Sequence, residues 1–66
     1  MDIQIVDVID KYFVVPQSVV GTLWLQTHFC ESDWDELTRG AVILQRDDAT
    51  FLIMDAEDAG LTVKYN

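Results

Sequence analysis

The single proline, Pro16, divides this chain where its periodicity changes. Its ring excludes Val15 from helical backbone angles, so no helix runs across it. Before it, Ile5, Val6, Val8, Ile9, Tyr12 and Phe13 fall on one side at about 100° per residue, with Gln4, Asp7, Asp10 and Lys11 on the other. That spacing predicts a helix over Asp2–Phe13. The density of Ile and Val, and the poor fit of Ile3 to the apolar face, keep a strand over Ile3–Ile9 open.

After Pro16 the repeat shortens to two. Val19, Leu23, Leu25 and Phe29 alternate with Thr22, Trp24, Gln26 and His28, which predicts a strand over Val20–Phe29 with a bend or bulge at Gly21. Trp24 falls on the more polar face of that strand. It is either an indole lying under a neighbouring helix or an anchor for a partner.

The most chemically pointed stretch is Cys30–Gly40, where four carboxylates crowd one tryptophan. Ser32 stands as an N-cap, Asp33, Asp35 and Glu36 face the positive end of the helix dipole, and Gly40 supplies a left-handed stop. The predicted helix has roughly two turns, with Trp34 and Leu37 on one face. It is read either as a capped, solvated helix or as a contact surface. Beyond it, Ala41–Gln45 reads as a strand, Arg46–Ala49 as a hairpin connection, Thr50–Met54 as its return strand, Asp55–Gly60 as an acidic turn and Leu61–Tyr65 as a closing strand. The expected fold is a single α+β domain over residues 1–66. It has a small antiparallel sheet of about four strands and two helices, in the order helix-strand-helix-strand-strand-strand.

Sixty-six residues hold one small core, which on its own supplies about 3–5 kcal/mol. Half of them are hydrophobic, too many for a disordered chain. Twelve acids stand against Lys11, Arg39, Arg46 and Lys64, for a net charge of −8. That balance excludes nucleic acid and anionic membrane as direct partners, because phosphate contacts need cations, and it favours basic proteins. With one cysteine no internal disulfide forms, and one histidine beside it makes no metal set. The start Met-Asp-Ile-Gln has no basic flank and no apolar run approaches a membrane span, so a reducing, cytosolic setting is expected.

Enzyme chemistry finds little support. His28 and Cys30, two apart, share a face of the predicted strand but have no orienting third group. Asp55–Gly60 imitates part of a calcium loop, yet Ala59 and Asn66 stand where ligands are required. No catalytic residue, cofactor or metal is expected. The acids instead come in clusters between apolar segments, and if folding gathers them on one face they form a row of carboxylates beside apolar anchors. The candidate partner-binding residues are Glu31, Ser32, Asp33, Trp34, Asp35, Glu36 and Leu37, together with Trp24, Asp47 and Asp48.

In the order of its elements and its Glu31-Ser32 pair, the chain resembles the phage-type uracil-DNA glycosylase inhibitors, small acidic proteins that mimic DNA. The resemblance implies that Glu31-Ser32 meets the DNA-binding loops of a target enzyme, with Trp34 and Leu37 walling an apolar pocket. Asp33-Trp34-Asp35 stands where that family carries an apolar run and a proline. In size and acidity the chain also resembles anti-CRISPR and anti-restriction proteins. What these resemblances imply is an inhibitor seated in the basic cleft of a nucleic-acid-processing enzyme, in the host cytosol if phage-encoded. A regulatory module that forms a homodimer through the Trp24 face is the alternative.

Overall fold

The structure, a computed structural model, describes residues 1–65. Asn66, the twelfth position of the calcium-loop comparison, lies outside the described residues.

The chain begins with a hairpin. β1 (Ile3–Val8) pairs antiparallel with β2 (Lys11–Pro16) in a register running from Ile3↔Pro16 to Val8↔Lys11. Ile9 and Asp10 turn it with φ of 51° and 61°, the two consecutive left-handed residues of a tight hairpin turn. The helix expected over Asp2–Phe13 is therefore corrected to two strands. The turn is disguised because such turns favour Asn-Gly, whereas Ile-Asp here continues an apolar pattern.

The strand expected over Val20–Phe29 is likewise corrected to a helix, α1 (Val19–His28). Ser18 caps it, accepting from the amide of Gly21 at 2.9 Å. The alternation misled because buried Gly21 and Leu25 alone mark the inner face and Gly21 carries no side chain to show it. A turn of 3₁₀ helix at Glu31–Asp33 then leads into α2 (Trp34–Thr38). Ser32 does not cap this helix: Asp33 occupies the N-cap position without a side-chain bond. Gly40, at φ 69°, ends the segment in the left-handed region.

β3 (Val42–Leu44) follows, and then α3 (Arg46–Asp58) replaces the expected hairpin connection and return strand over Thr50–Met54. Its inner face is Ala49, Leu52, Ile53 and Ala56, a spacing of three, four and seven. The contiguous apolar run Phe51–Met54 suits a strand, yet Phe51 and Met54 are exposed and two alanines complete the buried stripe. β4 (Val63–Tyr65) closes the sheet.

The strand order is β3-β2-β1-β4, with β1 and β4 parallel and the other neighbours antiparallel. Among the described residues the fold is thus mixed α+β with three α-helices and a mixed four-stranded sheet, rather than an antiparallel sheet with two helices. Ile3, Ile5, Tyr12, Val14 and Val42 on the sheet meet Leu25 of α1, Leu37 of α2, Ala49 and Ala56 of α3, and Leu61 in one core cluster. All three helices contribute to that cluster, so they lie on the same face of the sheet.

Candidate functional site

The stretch of chain singled out by its acids folds as follows. Glu31 and Ser32 are exposed in the 3₁₀ turn and Asp33 is half-buried behind them. Trp34 lays its indole against the end of α1, where Nε1 donates to the carbonyls of Gln26 and Phe29, each at 3.2 Å. Two of the carbonyls at the helix C-terminus are satisfied in this way. Asp35 and Glu36 point to solvent, and Leu37 is fully buried in the core. Trp24, half-buried on α1, stacks on His28 with ring centroids 4.0 Å apart. Asp47 and Asp48 stand exposed on another element, in the first turn of α3, where the helix dipole favours them. The structure therefore brings Trp24, Trp34 and the acidic turn to α1 and α2, and keeps Asp47 and Asp48 on α3.

His28 does not approach the chemistry of a base beside a thiolate. Its Nδ1 lies 2.9 Å from both the Trp24 carbonyl and the Thr27 hydroxyl. Cys30 is exposed and free. No group of three or more His, Cys, Asp or Glu with metal-holding geometry occurs among the described residues. Nor is any helix among them long and apolar enough to cross a membrane.

Concavities occur at three places among the described residues, one of them an open polar hollow of about 390 Å³ between Asp35, Thr38 and Arg39 at the end of α2. Another is a polar cleft of about 330 Å³, walled by Asp7, Tyr12, Ala49, Ile53 and Tyr65 and roofed by Arg46. Tyr12 and Tyr65 stack with centroids 6.1 Å apart, and the Arg46 Nε donates to the Tyr12 hydroxyl at 3.3 Å. That hydrogen bond, more than the nearby Asp10, raises the guanidinium above its ordinary pKa. The cleft thus holds a guanidinium against two phenols and the Asp7 carboxylate.

The third is an open apolar groove of about 540 Å³ running from the end of β2 along α1. Pro16, Val19, Thr22, Leu23 and Gln26 line it. Val19 is 76% exposed, Val20 59% and Leu23 58%, and at about 100° per residue these three occupy an arc of α1 turned away from Gly21 and Leu25. Exposed apolar side chains clustered on one helix are a contact surface rather than a catalytic one. Sequence reasoning missed them because strand alternation assigned Val19 and Leu23 inward. Pro16-Gln17-Ser18 ahead of Val19, a helix-start pattern, is the signal that identifies them.

With this geometry in place, comparison with known proteins adds one relation. Residues 4–66 match the family described as the Cyanobacterial NIF11-like domain. No curated protein and no solved structure matches the chain. The match overturns the expectation of a DNA-mimicking inhibitor, whether of uracil-DNA glycosylase or of the anti-CRISPR and anti-restriction kind, and with it the phage-type assignment. The resemblance rested on an order of elements that the structure does not have, and on acidity and a Glu-Ser pair, which unrelated small proteins share.

Proposed function

The chain belongs to the cyanobacterial NIF11-like domain family, and on that premise we propose that it is a non-catalytic leader-type domain, a folded handle through which a peptide-processing enzyme holds the chain it modifies. The observation that carries the reading is the exposed apolar arc Val19, Val20 and Leu23 beside the groove on α1. A handle needs a surface that a partner can desolvate, and apolar side chains flanked by polar Gln17, Ser18 and Gln26 supply one. The reading asks no bond-making of His28 or Cys30. The net charge of −8 assists by steering the domain toward a basic enzyme surface.

The test expresses two chains in a cyanobacterial host. One is a peptide bearing Ser, Thr and Cys joined to the C-terminal end of the domain, and the other is the same peptide alone. Intact-mass spectrometry is expected to show a mass change in the joined peptide, and at least a tenfold smaller modified fraction when Val20→Asp and Leu23→Asp are introduced. Equal modification of the free peptide, or indifference to both substitutions in a domain with an unchanged circular dichroism spectrum, counts against a leader role.

A further inference from the structure

Among the described residues no helix covers the outward face of the sheet. Its positions follow from the register: Gln4, Val6 and Val8 on β1, Lys11, Phe13 and Val15 on β2, Ile43 on β3 and Lys64 on β4. Ile43, Phe13 and Val6 stand in a row across three strands, and Val8 and Ile43 are 47% and 50% exposed. Five of these eight positions are apolar, two are lysine and none is acidic, in a chain with twelve carboxylates. Half of the cations of the chain therefore sit on the one face from which its acids are missing.

The opposite side of the molecule presents the complement. On α3, Asp47, Phe51, Met54 and Asp58 are exposed. At about 100° per residue they share an arc of roughly 60°, opposite buried Ala49 and Ala56. This stripe is apolar in the middle and acidic at both ends. Asp47 and Asp58 are eleven residues apart, about 16 Å along a helix axis. Lys11 is level with Val8 on β2, and Lys64 is level with Gln4 on β4, two strands away. Their positions are separated by about 16 Å on the diagonal.

From this match of pattern, sign and spacing we propose that the α3 stripe of one copy docks on the outward sheet face of a second copy. Phe51 and Met54 cover Phe13, Val6 and Ile43, while Asp47 and Asp58 meet the two lysines. Sheet-to-sheet pairing would bury the same apolar residues but would bring lysines into the interface with no carboxylate to meet them. Because the two surfaces lie on opposite sides of the molecule, the contact is head-to-tail and does not close at two. The face measures about 350 Å², against about 800 Å² per partner in a standard interface. The association is consequently weak and concentration-dependent. It is independent of the α1 groove and of the leader-type reading.

Sedimentation velocity between 10 µM and 1 mM tests it. The weight-average sedimentation coefficient is expected to rise continuously with concentration, without a plateau at the dimer, and to fall when NaCl is raised. A variant carrying Lys11→Glu and Lys64→Glu, and a second carrying Phe51→Glu, are each expected to sediment as monomers at 1 mM with unchanged circular dichroism. Mixed, they are expected to form a species that stops at two, since the intact α3 stripe of the first then meets the intact sheet face of the second while the other two surfaces stay disabled. A third variant, Asp47→Lys with Asp58→Lys, is expected to stay monomeric alone and, mixed with the Lys11→Glu and Lys64→Glu variant, to associate beyond two, since its lysine-ended stripe then meets the glutamate-bearing face as well. Wild-type chain that stays monomeric at 1 mM overturns the proposal and leaves the face to a foreign acidic helix. Self-association that survives both single-surface variants, or a charge-swapped mixture that fails to pair, overturns it in favour of another surface.

Discussion

Ile9 and Asp10 turn the β1–β2 hairpin through two successive left-handed residues, and the first of them is β-branched. A Cβ in that region crowds the following carbonyl by about 1–2 kcal/mol, more for a branched side chain than for Asn. Ile9 is 90% exposed, so its side chain returns nothing in packing. Ile9→Asn is therefore expected to raise stability by about 1 kcal/mol, which in a domain of this size lifts Tm by about 4–8 °C. A thermal melt showing no rise would mean that the turn is unstrained. Asp2 works in the other direction. Its carboxylate accepts from the Thr62 amide at 3.0 Å, from the Ser18 hydroxyl at 2.7 Å and from the Thr62 hydroxyl at 3.2 Å. The Thr62 amide first, then the Ser18 hydroxyl, hold it below the ordinary carboxylate range. A group whose pKa is lower folded than unfolded stabilises the fold above its unfolded value, about 3.9, and loses that contribution as pH falls through the folded value. Melts between pH 6 and pH 2 are expected to decline below about pH 4, and Asp2→Ala is expected to flatten that decline while lowering Tm at pH 6.

At the scale of elements, α1 is placed by an absence. A Cβ built on Gly21 would collide with the carbonyl oxygen of Asp2, so the helix approaches the start of β1 as closely as backbone allows. Glycine in a helix interior normally costs about 1 kcal/mol relative to alanine. Here the clash decides the sign: the obstacle is backbone, and overpacking of this kind costs about 1–3 kcal/mol. Gly21→Ala is expected to lower the denaturation midpoint, and an increase would show that α1 can slide outward without loss. Gly21 also explains what the sequence could and could not display. β3 and β4 lie within the strands that the pattern places at Ala41–Gln45 and Leu61–Tyr65, and α2 lies within the segment that Gly40 ends, because Val42, Val63 and Leu37 are apolar at the positions these elements turn to the core. α1 and α3 hid because part of each inner face is Gly21, or Ala49 and Ala56, residues too small to register as apolar positions. The candidate site went unseen for the same reason: once α1 is read as a strand, Val19 and Leu23 are sent inward. The tryptophans, conspicuous in sequence, turned out to be engaged within the chain, Trp34 with Gln26 and Phe29 and Trp24 with His28.

Over the whole molecule the division of charge follows from the layering. Outward sheet positions carry no acid, so the carboxylates of α2, α3 and the turns share the helical side and the rims of a body measuring 28 × 25 × 17 Å. The ion pair between Arg46 and Asp10, at 3.6 Å and well exposed, offsets little of this. At 0.01 M salt the screening length is about 30 Å, longer than any dimension of the protein, so every carboxylate repels every other; at 1 M it is about 3 Å and the repulsion is local. Each pair contributes only about 1 kcal/mol at 4 Å in water and less at the greater distances between clusters, but the number of pairs makes the sum comparable to the small stability of a domain this size. Raising NaCl from 0.01 to 1 M is accordingly expected to raise Tm, most steeply below about 0.1 M, where the screening length drops beneath the thickness of the molecule. The measurement belongs at micromolar protein, where weak association contributes nothing. A Tm that falls with salt would show that attraction across pairs such as Arg46–Asp10 outweighs repulsion among the acids, and that the charge division has no energetic consequence for the fold.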